Sequence, residues 1–176
     1  FDGRVVSVGE GEGYAAIAGK KNAKVNYQVD LIDEIWEDRP VLSEEPAFNL
    51  DVKYAGETVA SKLARIREEM KEAGTNVHVV STIDDICWTL NIRGNDIDFF
   101  PLVLSYGIIT MDSFELYIDE KKLDDKLKAK LAKDGVNLHP YNDIYEDVKK
   151  FGSDVVAMID PGKLNYALFN NIPENV

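Results

Sequence analysis

The chain of 176 residues has one cysteine, two histidines and no long hydrophobic run, and each shortage excludes a class of protein. With a single thiol no internal disulfide can form, which favours a reducing, cytoplasmic compartment. No stretch reaches the roughly 18 apolar residues of a membrane span, so we expect no membrane partner. Basic residues are scarce too: 20 Lys and Arg face 32 Asp and Glu, giving a net charge of -12. Nucleic-acid binding needs clustered cations, so we expect no nucleic-acid partner.

Residues suited to metal binding or nucleophilic catalysis are equally sparse. His78 and His139 lie outside any HExxH or Cys/His spacing, so we assign both of them structural roles and predict no metal ligands. Cys87 falls on an apolar helix face without a neighbouring histidine, and a buried thiol behaves as a small hydrophobe. The sequence therefore predicts no catalytic residue.

Acidic pairs are abundant, but most of their positions favour ordinary roles. Asp84-Asp85 fall in the first turn of a predicted helix, where carboxylates meet the positive end of the helix dipole, and Asp124-Asp125 fall on a solvated face. Asp96 and Asp98 have no such explanation. A single Asp-x-Asp is a weak indication of magnesium-dependent phosphoryl transfer, and the net negative charge also disfavours that chemistry.

The segment Gly9–Gly13 alternates glycine with glutamate and superficially resembles a phosphate-binding loop. Tyr14 occupies the place of the third glycine in GxGxxG, and the two glutamates would repel a pyrophosphate. We interpret the segment instead as a tight turn between a strand, Arg4–Val8, and a short helix containing Tyr14–Ala18.

Short apolar runs alternate with amphipathic stretches along the chain, which predicts α/β architecture with a mixed β-sheet flanked by helices. A turn at Met111–Ser113 predicts a hairpin. The predicted strands are Arg4–Val8, Ala23–Tyr27, Val77–Ser81, Val103–Ile109, Phe114–Ile118 (half-exposed) and Val155–Ile159. The predicted helices after the first are Val59–Met70, one beginning near Ile83, Glu120–Lys133, Asp143–Phe151 and Lys163–Asn171.

The clearest predicted helix has an apolar stripe that runs from Val59 to Met70 and is followed by Gly74, a C-terminal stop. We place Lys62 and Arg65 on its solvated faces.

The segment Thr82–Asp96 is the most informative part of the chain. Thr82 with Asp85 predicts an N-cap of capping-box type, and the following apolar residues fall on one helix face. Trp88 leaves that face by about 140° at roughly 100° per residue, so it needs a second surface to cover it. Gly94 lies in a polar turn, where glycine can adopt a positive φ.

This segment, with its sequence IDDICWTLNIRGND, resembles a segment in the second domain of Xaa-Pro aminopeptidases, which are metallopeptidases of creatinase/prolidase type. The run Asp30–Pro40, DLIDEIWEDRP, is similar to the linker that joins their first and second domains. Tyr54–Gly56, Lys62–Arg67 and Val136–Tyr141 extend the resemblance to nearly the whole chain.

The resemblance implies a ribonuclease H-like motif and a division into three parts. Residues 1–28 would be the C-terminal part of a first creatinase-N-like domain, residues 29–50 a linker, and residues 51–176 the second such domain. The family's catalytic domain would follow this chain. Phe at position 1 also suggests an excised piece.

In that family two divalent metals, usually manganese, activate a water that attacks the peptide bond before a proline in the second position. The catalytic domain supplies the metal ligands as two Asp, two Glu and one His. None of these motifs occurs here, so we expect no metal in this chain. The resemblance implies that the chain contacts its own catalytic domain, supports a homodimer, and limits access of proline-containing peptides to the active site.

Trp88, Asn91, Arg93 and Asp96 form the candidate site, and two interpretations of it stay open. In one, Trp88 fills a second core layer and Arg93 pairs locally with Asp96 or Asp98. In the other, the turn forms a lip against the catalytic domain or a neighbouring subunit's active site, because smaller relatives place a tryptophan comparably. An exposed Trp beside an Arg is also typical of an interface anchor.

Two other functions also stay open: a stand-alone ribonuclease H-like module that binds a peptide or protein, and a fragment of a creatinase-like hydrolase. Prolidase is a less suitable relative, because it has a single N-terminal domain of different pattern.

Overall fold

The computed structural model describes all residues 1–176 and contains two β-sheets. The larger is a mixed sheet of five strands in the order β6-β5-β4-β2-β7, and the smaller pairs β1 with β3. The strands are β1 (Phe48–Asn49), β2 (Val77–Val80), β3 (Ile92–Arg93), β4 (Tyr106–Thr110), β5 (Phe114–Tyr117), β6 (Val136–His139) and β7 (Ala157–Met158). Strands β2, β4 and β5 form an antiparallel meander, with β6 parallel to β5 and β7 parallel to β2.

Helices cover both faces of the five-stranded sheet. They are α1 (Val8–Gly19), α2 (Val52–Ala55), α3 (Val59–Glu72), α4 (Ile83–Leu90), α5 (Asp125–Lys133), α6 (Ile144–Asp147) and α7 (Tyr166–Phe169), with 3-10 turns at Glu120–Lys122 and Val148–Lys150. Helices α3, α4 and α5 share one core cluster with Ile109 and Phe114, and α6 and α7 share another with Ile108 and Tyr117. Adjacent strand residues thus face opposite cores, as the two-residue period of a strand requires.

The predicted fold class, a mixed α/β sheet flanked by helices, is confirmed. The hairpin at Met111–Ser113 joins β4 to β5 as expected, and α3 begins at Val59 and is followed by Gly74 at φ 71°. The predicted strands Val103–Ile109 and Val155–Ile159 are each shorter in the structure, and β7 lies at the edge of the sheet.

In the N-terminal segment the expected helix containing Tyr14–Ala18 forms as part of α1, but the two expected strands are absent. No strand forms at Arg4–Val8; Ser7 instead caps α1 in a reciprocal capping box with Glu10, so the glycine-rich segment is helical. Gly11 is required there because a Cβ would lie 2.2 Å from the Tyr166 ring. Ala23–Tyr27 is not a strand either, and only the following Gln28 forms a bridge.

Several later helices are shorter than their apolar spacing predicts. Glu120–Lys133 splits because Asp124 accepts a hydrogen bond from the Leu127 amide and caps α5, so Asp124 is not simply a solvated residue. Asp143–Phe151 continues from α6 into a 3-10 turn, and Lys163–Asn171 shortens to α7. The strand at Phe114 is buried rather than half-exposed.

No helix is both long enough and apolar enough to cross a membrane.

Candidate functional site

The candidate site is built on the C-terminal end of α4. The helix begins after Thr82, whose side chain makes no capping hydrogen bond, so the expected capping box is absent. It ends at Asn91, a residue with φ 53° and ψ 39°. Asn tolerates this left-handed conformation better than most residues, so the sequence ends the helix there without a glycine.

Lys62 of α3 lies beneath this helix end with only 1% of its surface exposed. Its Nζ donates hydrogen bonds to the Trp88 carbonyl at 2.6 Å and to Asn91 Oδ1 at 2.7 Å. Burial lowers the Lys62 pKa. The prediction that Lys62 is solvated was therefore wrong, and the ammonium instead satisfies carbonyl oxygens at the negative end of the α4 dipole.

Asn91 connects the start of α3 to the end of α4, because both the oxygen and the nitrogen of its side-chain amide form hydrogen bonds. Its Nδ2 donates to the Glu57 carbonyl at 2.8 Å, and only 1% of the residue is exposed. Asn91 is therefore part of the framework that joins the start of α3 to the end of α4, and it offers no surface to a partner.

Arg93 does not pair with either nearby aspartate, so that interpretation was wrong. Its Nη1 donates to the carbonyls of Cys87 and Ile92, each at 2.7 Å. A second cation thus lies at the C-terminal end of α4, where it complements the helix dipole. Cys87 is buried, burial raises its pKa, and it packs as a hydrophobe as the sequence predicts.

Asp96 belongs to a separate, buried ion pair. Its Oδ2 accepts hydrogen bonds from Lys122 Nζ at 2.5 Å and from the Leu104 amide at 2.7 Å, and Oδ1 has no partner. The Asp96 and Lys122 side chains are 0% and 2% exposed. The pair fixes the polar turn after β3 to the 3-10 turn that precedes α5. Gly94 in this turn serves close packing, since a Cβ would lie 2.7 Å from Val103 Cγ2, and its φ is not positive.

Trp88 is the one predicted site residue with substantial exposure, 40%. Lys62 Nζ lies 4.3 Å from the ring centroid and Arg65 Cζ lies 5.7 Å from it. Arg65 is itself held by Glu57 through hydrogen bonds of 3.1 and 2.8 Å. The half-exposed indole therefore lies within cation–π distance of two cations.

The Glu57–Arg65 pair predicts an acid-dependent stability. Hydrogen bonds from Arg65 and then Ser61 lower the Glu57 pKa from 4.5 to about 2. A carboxyl group whose pKa is lower in the folded state stabilises the fold at pH values above its unfolded-state pKa. This stabilisation is lost as the pH falls through the folded-state pKa. We therefore expect the free energy of unfolding to depend less steeply on pH between about 4.5 and 2 in Glu57→Gln than in the unchanged chain. Urea titrations at a series of pH values would measure this, and equal slopes would contradict it.

A second exposed feature, missed in the sequence, follows Asp96. The turn Ile97–Phe100 is closed by a bridge between its end residues, and Phe99 is 100% exposed at φ 66°. A bulky side chain in this conformation is an outlier, and such strain concentrates at functional sites. No sequence pattern marks the φ angle of Phe99, although two adjacent aromatics in a polar turn could have drawn attention.

No group of three or more His, Cys, Asp or Glu side chains that could hold a metal occurs in the chain. His78 Nδ1 lies 3.0 Å from the Met158 carbonyl, and His139 Nε2 lies 2.6 Å from Glu115 Oε2. These residues do not fit a di-metal centre.

Comparison with known proteins gives consistent results. Residues 38–176 match the family model described as Creatinase/Prolidase N-terminal domain. The chain is 43% identical over 143 residues to a protein named probable Xaa-Pro aminopeptidase P from Neurospora crassa, covering 81% of this chain and 21% of that protein. It is 36% identical to Xaa-Pro aminopeptidase app-1 of Caenorhabditis elegans, covering 82% and 24%.

The solved structure of X-prolyl aminopeptidase from Caenorhabditis elegans, described as a cytosolic enzyme with a di-nuclear active site, has a TM-score of 0.90 and 34% identity. The match covers 99% of this chain and 29% of that one. The chain thus spans about a fifth to a quarter of the length of these curated relatives. It belongs to the creatinase/prolidase N-terminal domain family.

Proposed function

We propose that these residues are a non-catalytic N-terminal region of an Xaa-Pro aminopeptidase, a hydrolase that releases the residue before a proline from the N-terminus of a peptide. The structural match to an X-prolyl aminopeptidase over 99% of this chain carries the proposal. In the proposed parent the region shapes access of proline-containing peptides to the active site and contacts the catalytic domain.

The metals of such an enzyme would be held outside residues 1–176. The relative from Caenorhabditis elegans is described as di-nuclear, and this chain has no donor cluster that fits a pair of metals. We propose two manganese ions in the parent's catalytic domain. We also propose a cytosolic location, which the description of that relative supports, and a homodimer.

For the domain division we propose residues 1–28 as the end of a first domain, 29–50 as a linker and 51–176 as a second domain. Exposed apolar side chains on α1, Tyr14 and Ile17, support an unpartnered remnant of another core. Backbone hydrogen bonds from Tyr166 to Val6 and from Ala167 to Gly3 would keep this remnant docked on the second domain.

Within this region we propose that Trp88 and the turn Ile97–Phe100 form the lip against the catalytic domain. Trp88 and Phe99 present exposed aromatic surface, which is common among interface anchors. Asn91, Arg93 and Asp96 act as the supporting framework, because their polar groups are used inside the domain.

Replacing Phe99 by glycine tests whether the strained backbone of Phe99 is needed for contact between the lip and the catalytic domain. Phe99→Gly removes the side-chain clash of the left-handed conformation, which stabilises the fold, but it also increases the conformational entropy of the unfolded chain. We expect a net gain of about 0.5 to 1 kcal/mol in the free energy of unfolding. In the parent enzyme we expect a weaker affinity for peptide at the same time, measured as a raised KM. A gain in stability with an unchanged KM would remove Phe99 from the proposed lip.

The aminopeptidase assignment itself is tested with the full-length parent and the tripeptide Ala-Pro-Ala. We expect manganese-dependent release of the N-terminal alanine by the parent and none by residues 1–176 alone. An inactive parent that still binds its metals would favour a creatinase-like enzyme or a binding module.

A further inference from the structure

Lys62 makes more contacts with Trp88 than capping of α4 requires. An ammonium group has three N–H donors. Two of them are used by the Trp88 carbonyl and Asn91 Oδ1, and the remaining side of the cation faces the indole ring at 4.3 Å from its centroid. Lys62 therefore contacts the main chain and the side chain of the same tryptophan.

The burial of Lys62 makes this contact rigid. The cation is cut off from water, with 1% of the residue exposed, and its stem is fixed in the core between α3 and α4. A cation–π contact is stronger when the cation is desolvated. Arg65, by comparison, is farther from the ring at 5.7 Å, and its guanidinium is already bound by Glu57.

We infer that Lys62 is a positioning residue, which holds the indole of Trp88 in the one orientation that the lip needs. The inference deepens the proposed function and rests on it, because the consequence for catalysis exists only if Trp88 contacts the peptide entrance. Lys62 touches neither substrate nor metal and acts through Trp88 alone. Asn91 has the supporting task of holding the ammonium beneath the ring.

The test uses the full-length parent labelled with 5-fluorotryptophan, in which the fluorine resonance missing from Trp88→Phe is that of Trp88. In Lys62→Met we expect this resonance to shift and broaden, because the ring gains rotamers. For Ala-Pro-Ala we expect KM to rise about threefold to tenfold, the range of a partly buried cation–π contact, with kcat unchanged. Lys62→Met/Trp88→Ala should have the KM of Trp88→Ala alone, since the lysine acts only through the indole.

Lys53→Met is the matched control, because Lys53 Nζ also lies over an aromatic ring, 4.6 Å from the centroid of the exposed Tyr54. It should leave the Trp88 resonance and KM unchanged. If Lys62→Met does not fold, Asn91→Gly keeps the left-handed helix end and the lysine but removes one of the two acceptors of the ammonium, and a smaller rise in KM is expected.

Two different results would overturn the inference, one against the role of Lys62 and one against the lip itself. If Trp88→Ala raises KM while Lys62→Met leaves both KM and the fluorine resonance unchanged, the lip stands and Lys62 is only a structural residue. If Trp88→Ala leaves KM unchanged, the lip itself fails, and the role of Lys62 in access to the active site fails with it.

Discussion

Lys122→Met should lower the free energy of unfolding by about 3 to 5 kcal/mol, the usual cost of removing one partner from a buried ion pair. The substitution keeps the length of the side chain but leaves the Asp96 carboxylate buried with the Leu104 amide as its sole donor. Asp96 Oδ1 has no hydrogen-bond partner even in the unchanged chain, so no other donor nearby can take the place of Lys122. Urea unfolding of the chain measures the effect.

Lys121→Met is the matched control, since the neighbouring lysine pairs with Glu44 at the same distance of 2.5 Å but in solvent. Exposed pairs of this kind contribute little, so no clear loss of stability is expected there. Asp96→Asn should rescue part of the loss in Lys122→Met, because the amide is uncharged and its oxygen still accepts from Leu104. Equal stabilities of Lys121→Met and Lys122→Met would show that Asp96–Lys122 is not a buried pair in solution.

Asn91→Ala should lower the free energy of unfolding by about 2.5 to 5 kcal/mol, from two causes that add. A left-handed conformation costs about 1 to 2 kcal/mol for a residue with a Cβ and no polar side chain. Loss of a hydrogen bond to a charged group costs about 1.5 to 3 kcal/mol more, and here Lys62 loses its side-chain acceptor.

Asn22 separates the two causes, because it has nearly the same φ, 54°, but an exposed side chain. Asn22→Ala should cost only the backbone part, about 1 to 2 kcal/mol. Asn91→Gly should cost mainly the side-chain part, since glycine adopts this φ freely. If Asn22→Ala and Asn91→Ala are equally destabilising, the Lys62–Asn91 contact contributes nothing to stability.

The elements predicted well are those whose pattern is local and strongly periodic. The stripe of α3 and the hairpin between β4 and β5 follow from side-chain spacing and a turn, and both formed as expected. The segment at Gly9–Gly13 was misread because glycine is a poor helix former, whereas a capping box at Ser7 and contact with Tyr166 override that preference.

The role of the candidate site stays a prediction, but the structure shows where each of its residues lies. The resemblance selected Trp88, Asn91, Arg93 and Asp96, and the structure joins the first three at the end of α4 while Asp96 pairs elsewhere. Lys62 and Lys122 were missed because the sequence does not show where a lysine points: a cation on an amphipathic helix is usually solvated, and its burial depends on acceptors about 29 and 26 positions away. The strained backbone of Phe99 was also missed, because tertiary structure imposes it and no local sequence pattern marks it.

The most direct test of the account is the kinetics of Ala-Pro-Ala cleavage by the full-length parent and its Trp88→Ala variant, with domain association followed by limited proteolysis. We expect the parent to cleave the tripeptide with manganese, and we expect Trp88→Ala to raise KM or loosen the domains with the metals still bound. Unchanged KM and unchanged association in Trp88→Ala would contradict the proposal that this region borders the entrance to the active site.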